Sequence, residues 1–179
     1  MKTSLHAVWA ETFAPALRTL SEHLDKGAQQ VRAKGGDPAT LVNARLAPDM
    51  FPLGLQVQVA CHHAKDITAR LTGQQPPKLE NKELTLPELK TLIEQTLALL
   101  SGVGAKAFDG GEDRRIEMTL QGGRLLEADG LQFLCHWSMP HFYFHVVTAY
   151  DILRHSGIEI GKRDYMTHAA PYVRQVKPA

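Results

Sequence analysis

Residues 133–157 have the sequence FLCHWSMPHFYFHVVTAYDILRHSG, and this stretch decides the fold class. Its apolar side chains recur at the spacing of a helix that buries one face, namely at Phe133, Trp137, Phe142, Val146, Ala149 and Leu153. Gly157 is a typical C-terminal stop for such a helix. Pro140 interrupts the pattern, so we expect a kink or a restart there, with Ser138 as the candidate N-cap.

Three more helical patterns precede this one. The first starts at Leu5 and passes through Pro15, and the second runs from Pro52 to Gly73. The third begins with the capping box Thr85–Glu88 and ends near Leu100. These patterns predict four long helices.

Two shorter elements connect the long helices. Asp37 followed by Pro38 predicts a short helix that reaches Arg45. Beyond the third long helix the pattern changes to alternation at 116–120, and Gln121-Gly-Gly123 is typical of a hairpin turn into residues 124–127. We therefore predict an all-α protein: an up-down-type four-helix bundle in one domain, residues 1–179, with a short extra helix and a small β-ribbon between helices three and four.

The composition limits the classes of function. The formal net charge is +1 and no long block of like charge occurs, which argues against a nucleic-acid partner. No apolar run approaches a membrane span or a signal peptide, so we expect no membrane partner and a cytoplasmic location. Cys61 and Cys135 lie in apolar helical patterns and are expected to be reduced, small core residues.

His141 and His145 are the strongest candidates for a functional site. They are four residues apart, so on a helix their imidazoles project from one face and could bind one transition-metal ion. Both lie at the edge of the apolar stripe, where they would face a partner helix. The alternative is that one histidine is packed in the core and the other is solvated.

His63 on the second helix is the predicted third ligand, because it flanks the buried face of that helix. Three neutral imidazoles leave one coordination position open, as in catalytic zinc sites, and zinc or nickel suits this ligand type. His62 should point away and His136 should be a hydrogen-bonding neighbour, although either could replace a proposed ligand. If Ser138 caps a new helix, the helix dipole would keep His141 neutral.

The other polar and aromatic candidates receive ordinary structural interpretations. We expect Asp66 and Asp151 to be solvated. The remaining histidines are expected near the chain ends or on solvated faces, and the aromatic cluster of the last helix in the core; these are His6, His23, His155 and His168, and Trp137, Phe142, Tyr143 and Phe144.

The helix order, with one histidine on helix two and HxxxH on helix four, resembles the DinB-like (YfiT-like) four-helix bundle superfamily of candidate metalloenzymes. His63, His141 and His145 fall where that superfamily carries its metal triad. NARLAPDMFPL at 43–53, FYFHVVTAYDILRHSG at 142–157 and the closing GKRDY resemble one uncharacterised bacterial branch of it, a domain of unknown function.

The resemblance implies a metal-binding enzyme of the hydrolase or thiol-dependent transferase type, with a small-molecule substrate. It leaves the catalytic residues unassigned. Val146-Val-Thr148 stands where the superfamily often has Arg-Gly-Gln after its last histidine. A second hypothesis is therefore a non-catalytic helical module that has lost metal and chemistry, and a homodimer is expected.

Overall fold

The computed structural model describes residues 4–175, so the ends of the predicted domain, 1–3 and 176–179, lie outside the described residues. The helices and strands, in chain order, are α1 Leu5–Ala33, α2 Leu53–Leu71, α3 Leu86–Ser101, β1 Ile116–Thr119, β2 Leu125–Ala128, α4 Gly130–Phe133, α5 Met139–His155 and α6 Lys162–Tyr165. Short 3₁₀ turns, including Pro38–Asn43, fill several of the connections.

The four long helices form a bundle whose order around the axis is α1, α3, α2, α5. Each helix packs mainly against two neighbours, and α1 and α2 are diagonal. The extended connector 34–52 spans that diagonal. The mostly helical fold with one small ribbon confirms the predicted fold class, while a single domain over 1–179 stays a prediction.

The predicted helix starts are present because their caps form. Thr85 and Glu88 satisfy each other's backbone amides at the start of α3, and Asp129 and Gln132 do the same for α4. Asp37 accepts from the amide of Ala39 and begins the short turn of the connector. These bonds saturate amides that a helix N-terminus leaves unpaired.

Of the two expectations at Pro140, a kink or a restart, the restart capped by Ser138 is not found. Ser138 has helical backbone angles (φ −68°, ψ −49°) and makes no capping bond. A π-helical turn, Leu134–Ser138, instead joins α4 to α5. Because Pro140 has no N–H and its ring would clash with the carbonyl four residues earlier, a widened turn accommodates it without a break. The helix-dipole argument for His141 therefore does not apply.

The ribbon pairs Ile116 with Ala128 and Thr119 with Leu125 in antiparallel register. Gly122 and Gly123 in its turn both have positive φ, 77° and 74°, which explains the two glycines there. The ribbon lies next to the π turn and not inside the bundle. The predicted hairpin is confirmed.

The core is one cluster of buried apolar side chains shared by all four long helices. Phe13 of α1 and Phe142 of α5 are fully buried and pack edge to face, with ring centroids 4.8 Å apart. Within the described part of the chain, no helix combines the length and the hydropathy that a membrane crossing needs.

Candidate metal centre

The structure brings His63, His141 and His145 together between α2 and α5. The ring centroid of His63 is 5.2 Å from that of His141 and 5.7 Å from that of His145. His145 is 8% exposed, and the other two are half-buried. Since α2 and α5 are the most closely packed pair of helices in the bundle, both backbones hold these rings in place.

These separations can be compared with a bound site. Two imidazoles held at Zn–N distances of about 2.0–2.1 Å around one tetrahedral ion have ring centroids about 5.2 Å apart. The His63–His141 pair matches this value, and the His63–His145 pair is wider. Within residues 4–175, no group of three His, Cys, Asp or Glu side chains has the geometry of a metal site. The donor types fit zinc or nickel, and the three rings would have to move before all of them could bind one ion.

Gln56 fixes the tautomer of His145. The Gln56 side-chain amide, 1% exposed, donates through Nε2 to the carbonyl of Phe51 at 3.1 Å. Its Oε1 therefore faces Nδ1 of His145, at 2.6 Å, and accepts a hydrogen bond from it. The proton is on Nδ1, so Nε2 keeps its lone pair. Metal-binding histidines commonly donate their second N–H in this way.

A backbone carbonyl fixes the tautomer of His141. Nδ1 of His141 lies 2.7 Å from the carbonyl oxygen of Trp137, one turn earlier. A carbonyl only accepts, so Nδ1 is the donor and Nε2 again carries the lone pair. The imidazoles of His141 and His145 thus have the same tautomer, set by different partners.

The electrostatic environment keeps two of the rings neutral. Burial, together with the smaller effects of the adjacent His145, His141 and His62, lowers the pKa of His63 to about 3. Burial also lowers the pKa of His145 to about 4, with His141 as the second cause. At neutral pH both are uncharged bases, which is the form that binds a metal ion.

Aromatic side chains flank the rings of His141 and His145. Phe51 stacks parallel to His145, with centroids 6.4 Å apart, and Phe144 meets the same ring edge-on at 5.3 Å. Trp137 lies 4.3 Å from His141. Phe51 and Phe144 are 49% and 57% exposed, so the expectation that Phe144 belongs to the core is wrong. The site therefore has an apolar and accessible edge.

The two alternative ligands lie elsewhere. His62 lines a cavity between α2 and α3, and its ring centroid is 5.8 Å from that of His63. His136 is exposed beside the ribbon, so its predicted role as a buried hydrogen-bonding neighbour is wrong. Its position in the π turn places it beside Leu126 and away from the triad.

Three further expectations are overturned by burial. His23 is 1% exposed, packs on Tyr150, and has no hydrogen-bond partner for either ring nitrogen within residues 4–175. Asp66 is buried, and its carboxylate accepts a 2.8 Å hydrogen bond from Arg70. The guanidinium of Arg70 in turn lies over a phenylalanine ring. Cys135 is exposed since it lies in the outward part of the π turn, whereas Cys61 is buried as expected.

Gln56 is the residue of the candidate site that sequence reasoning missed. It lies seven residues, or two helical turns, before His63 and therefore on the same face of α2. A polar side chain on the α5-facing side of an otherwise apolar stripe was the available signal, because such a group needs a buried partner.

Comparisons with known proteins agree with this architecture. Residues 5–166 match the family described as Domain of unknown function (DUF1993). A DinB family member protein from Shewanella denitrificans, known from its crystal structure, is 37% identical; the match covers 89% of this chain and 91% of that one, with a TM-score of 0.80. No curated protein matches the chain. The chain therefore belongs to the DUF1993 family, a domain of unknown function within the DinB-like superfamily.

Proposed function

We propose that the protein is a metal-dependent enzyme in which His63, His141 and His145 bind one divalent ion, zinc or nickel. The observation that carries this proposal is that His141 and His145 have the same tautomer. Each donates Nδ1–H to a fixed oxygen and leaves Nε2 free beside the ring of His63. Packing alone would not require both histidines to have the same tautomer.

The chemistry fits a hydrolase or a thiol-dependent transferase. A zinc ion held by His63, His141 and His145 would keep one coordination position open, and it would lower the pKa of a water or thiol bound there so that this group is a nucleophile near neutral pH. The side chain of Gln56 orients His145, and the carbonyl of Trp137 orients His141. Phe51 and Phe144 provide an apolar edge for a small-molecule substrate.

The test is metal content and affinity of the untagged, full-length chain. We expect about one zinc or nickel per chain after metal-supplemented expression, measured by plasma mass spectrometry, and a rise in melting temperature when zinc is added to the metal-free protein. The His63→Ala variant should lose both effects, whereas His155→Ala, an exposed histidine at the end of α5, should keep them. Failure of the wild type to bind either metal would leave the non-catalytic module as the better hypothesis.

We also propose a cytoplasmic homodimer. Val147 leaves apolar surface exposed on the outer face of α5, at 39% exposure, which suits burial against a second copy. The free cysteine on the π turn suits a reducing compartment. Sedimentation equilibrium tests the dimer, and Val147→Lys should shift it toward monomer.

A further inference from the structure

A second site lies on the opposite side of α2 from His63. A cavity of about 510 Å³, open to solvent on one side, is lined by α2, α3 and the loop 77–84 that joins them. This volume is in the range of roughly 300–1,000 Å³ that small-molecule sites occupy.

The loop wall of this cavity is held in place by Gln58. The Gln58 side chain is 5% exposed; its Nε2 donates to the carbonyl of Lys82 at 3.0 Å, and its Oε1 accepts from the Lys82 amide at 3.2 Å. Two bonds between one side-chain amide and one residue's backbone fix the loop in both position and orientation. The cavity is therefore built by specific contacts.

The charges of the cavity do not cancel. Glu80 is paired with Lys82, and the carboxylate of Glu88 accepts two bonds from the start of α3. Lys65 and Lys78 also line the cavity, yet within residues 4–175 neither has a carboxylate within 4.0 Å. With Glu88 counted, the lining has three lysines and two glutamates and so one net positive charge, which favours a ligand with a single negative charge.

The remaining lining is apolar with one imidazole. Pro77, Leu79, Leu84 and Leu92 face the cavity, and Leu79 is 44% exposed although it is a large apolar residue. The ring of His62 reaches the cavity from α2 and makes no hydrogen bond within the described part of the chain. An apolar wall beside unpaired cations matches a ligand that is itself amphipathic.

We propose that this cavity binds a small monoanion with an apolar body, of the medium-chain carboxylate class. The carboxylate lies between Lys65 and Lys78, and the chain packs on the leucines. This site is separate from the triad, so it does not depend on metal binding.

The test is a titration of the full-length chain with octanoate, in which binding is monitored by the chemical shifts of the backbone amides. We expect saturable binding with the shifts concentrated at 77–84 and along the facing turns of α2 and α3. 1-Octanol, which lacks the charge, and acetate, which lacks the chain, should each bind at least fivefold more weakly. Equal binding of either control compound would overturn the proposed ligand class.

Variants locate the site. Lys65→Met with Lys78→Met should weaken octanoate binding roughly tenfold, whereas the charge-matched pair Lys106→Met with Lys162→Met should leave it unchanged. Binding should persist in His63→Ala and in the presence of EDTA. Loss of binding in His63→Ala would place octanoate at the triad and refute a separate site, as would an unchanged affinity in the Lys65/Lys78 pair.

Discussion

Replacement of Gln56 by alanine tests whether a buried amide controls the metal affinity of His145. Gln56→Ala removes the acceptor of the His145 Nδ1–H bond and the donor to the Phe51 carbonyl. Two net hydrogen bonds at about 1 kcal/mol each, and an unsatisfied buried N–H, predict a loss of about 2–3 kcal/mol in the free energy of unfolding. In a chain of this length that is roughly a 5–10 °C fall in melting temperature.

The effect on zinc is expected to be larger than stability alone explains. Without its acceptor, the His145 ring can move its proton to Nε2, which removes the lone pair. Loss of such an orienting partner typically reduces metal affinity about 10- to 100-fold. The assay is competition between the protein and a chromophoric zinc indicator at pH 7.5, with urea unfolding of the metal-free protein measured in parallel.

Gln58→Ala is the matched control. Gln58 lies on the same helix, is also buried, and makes three side-chain hydrogen bonds, none of them to a histidine. We expect a similar loss of stability and an unchanged zinc affinity. If Gln56→Ala binds zinc as the wild type does, or if both variants lose affinity equally, the proposed orienting role is refuted.

Three further predictions concern stability and reactivity. The pKa values of His63 and His145 are lowered in the folded state, so the unfolded chain binds more protons than the folded chain below pH 6.5. The metal-free protein should therefore lose about 1–2 kcal/mol of stability per imidazole by pH 5, measured by urea unfolding. A stability that does not change from pH 7.5 to 5 would contradict this prediction. Cys135 is exposed and Cys61 is buried with its pKa raised by burial to about 11, so a thiol reagent should label one cysteine quickly in the native state and two in urea. Gly130→Ala would push a Cβ into a backbone carbonyl and should cost about 3 kcal/mol by urea unfolding, so a variant as stable as the wild type would argue against this close packing.

The regular parts of the fold were predictable because local chemistry determines them. The spacing of apolar residues predicted the four long helices, and the capping pairs at Thr85 and Asp129 predicted where two of the helices begin. Helical phase predicted that His63 and His141 each lie at the edge of an apolar stripe, whereas their contact depends on the packing of α2 against α5.

The remaining features depend on contacts between distant segments. His23 directly follows the exposed Glu22, and its burial results from Tyr150 and Tyr165, more than a hundred residues away. The π turn adds one residue to a helical turn, which moves Cys135 and His136 out of the phase that regular periodicity assigns them. Periodicity within one helix contains no information about either effect.

His141 and His145 differ in whether a substitution can remove their hydrogen-bond partners. The partner of His141 is the main-chain oxygen of Trp137. A substitution at position 137 keeps this oxygen unless it distorts the helix. The partner of His145 is a side chain on another helix, so a single substitution can remove it. Among these ligands, His145 is therefore the one whose proton position can be tuned without touching the ligand itself. For that reason, residue 56 is where we expect zinc affinity to respond to substitution while the imidazole set stays intact.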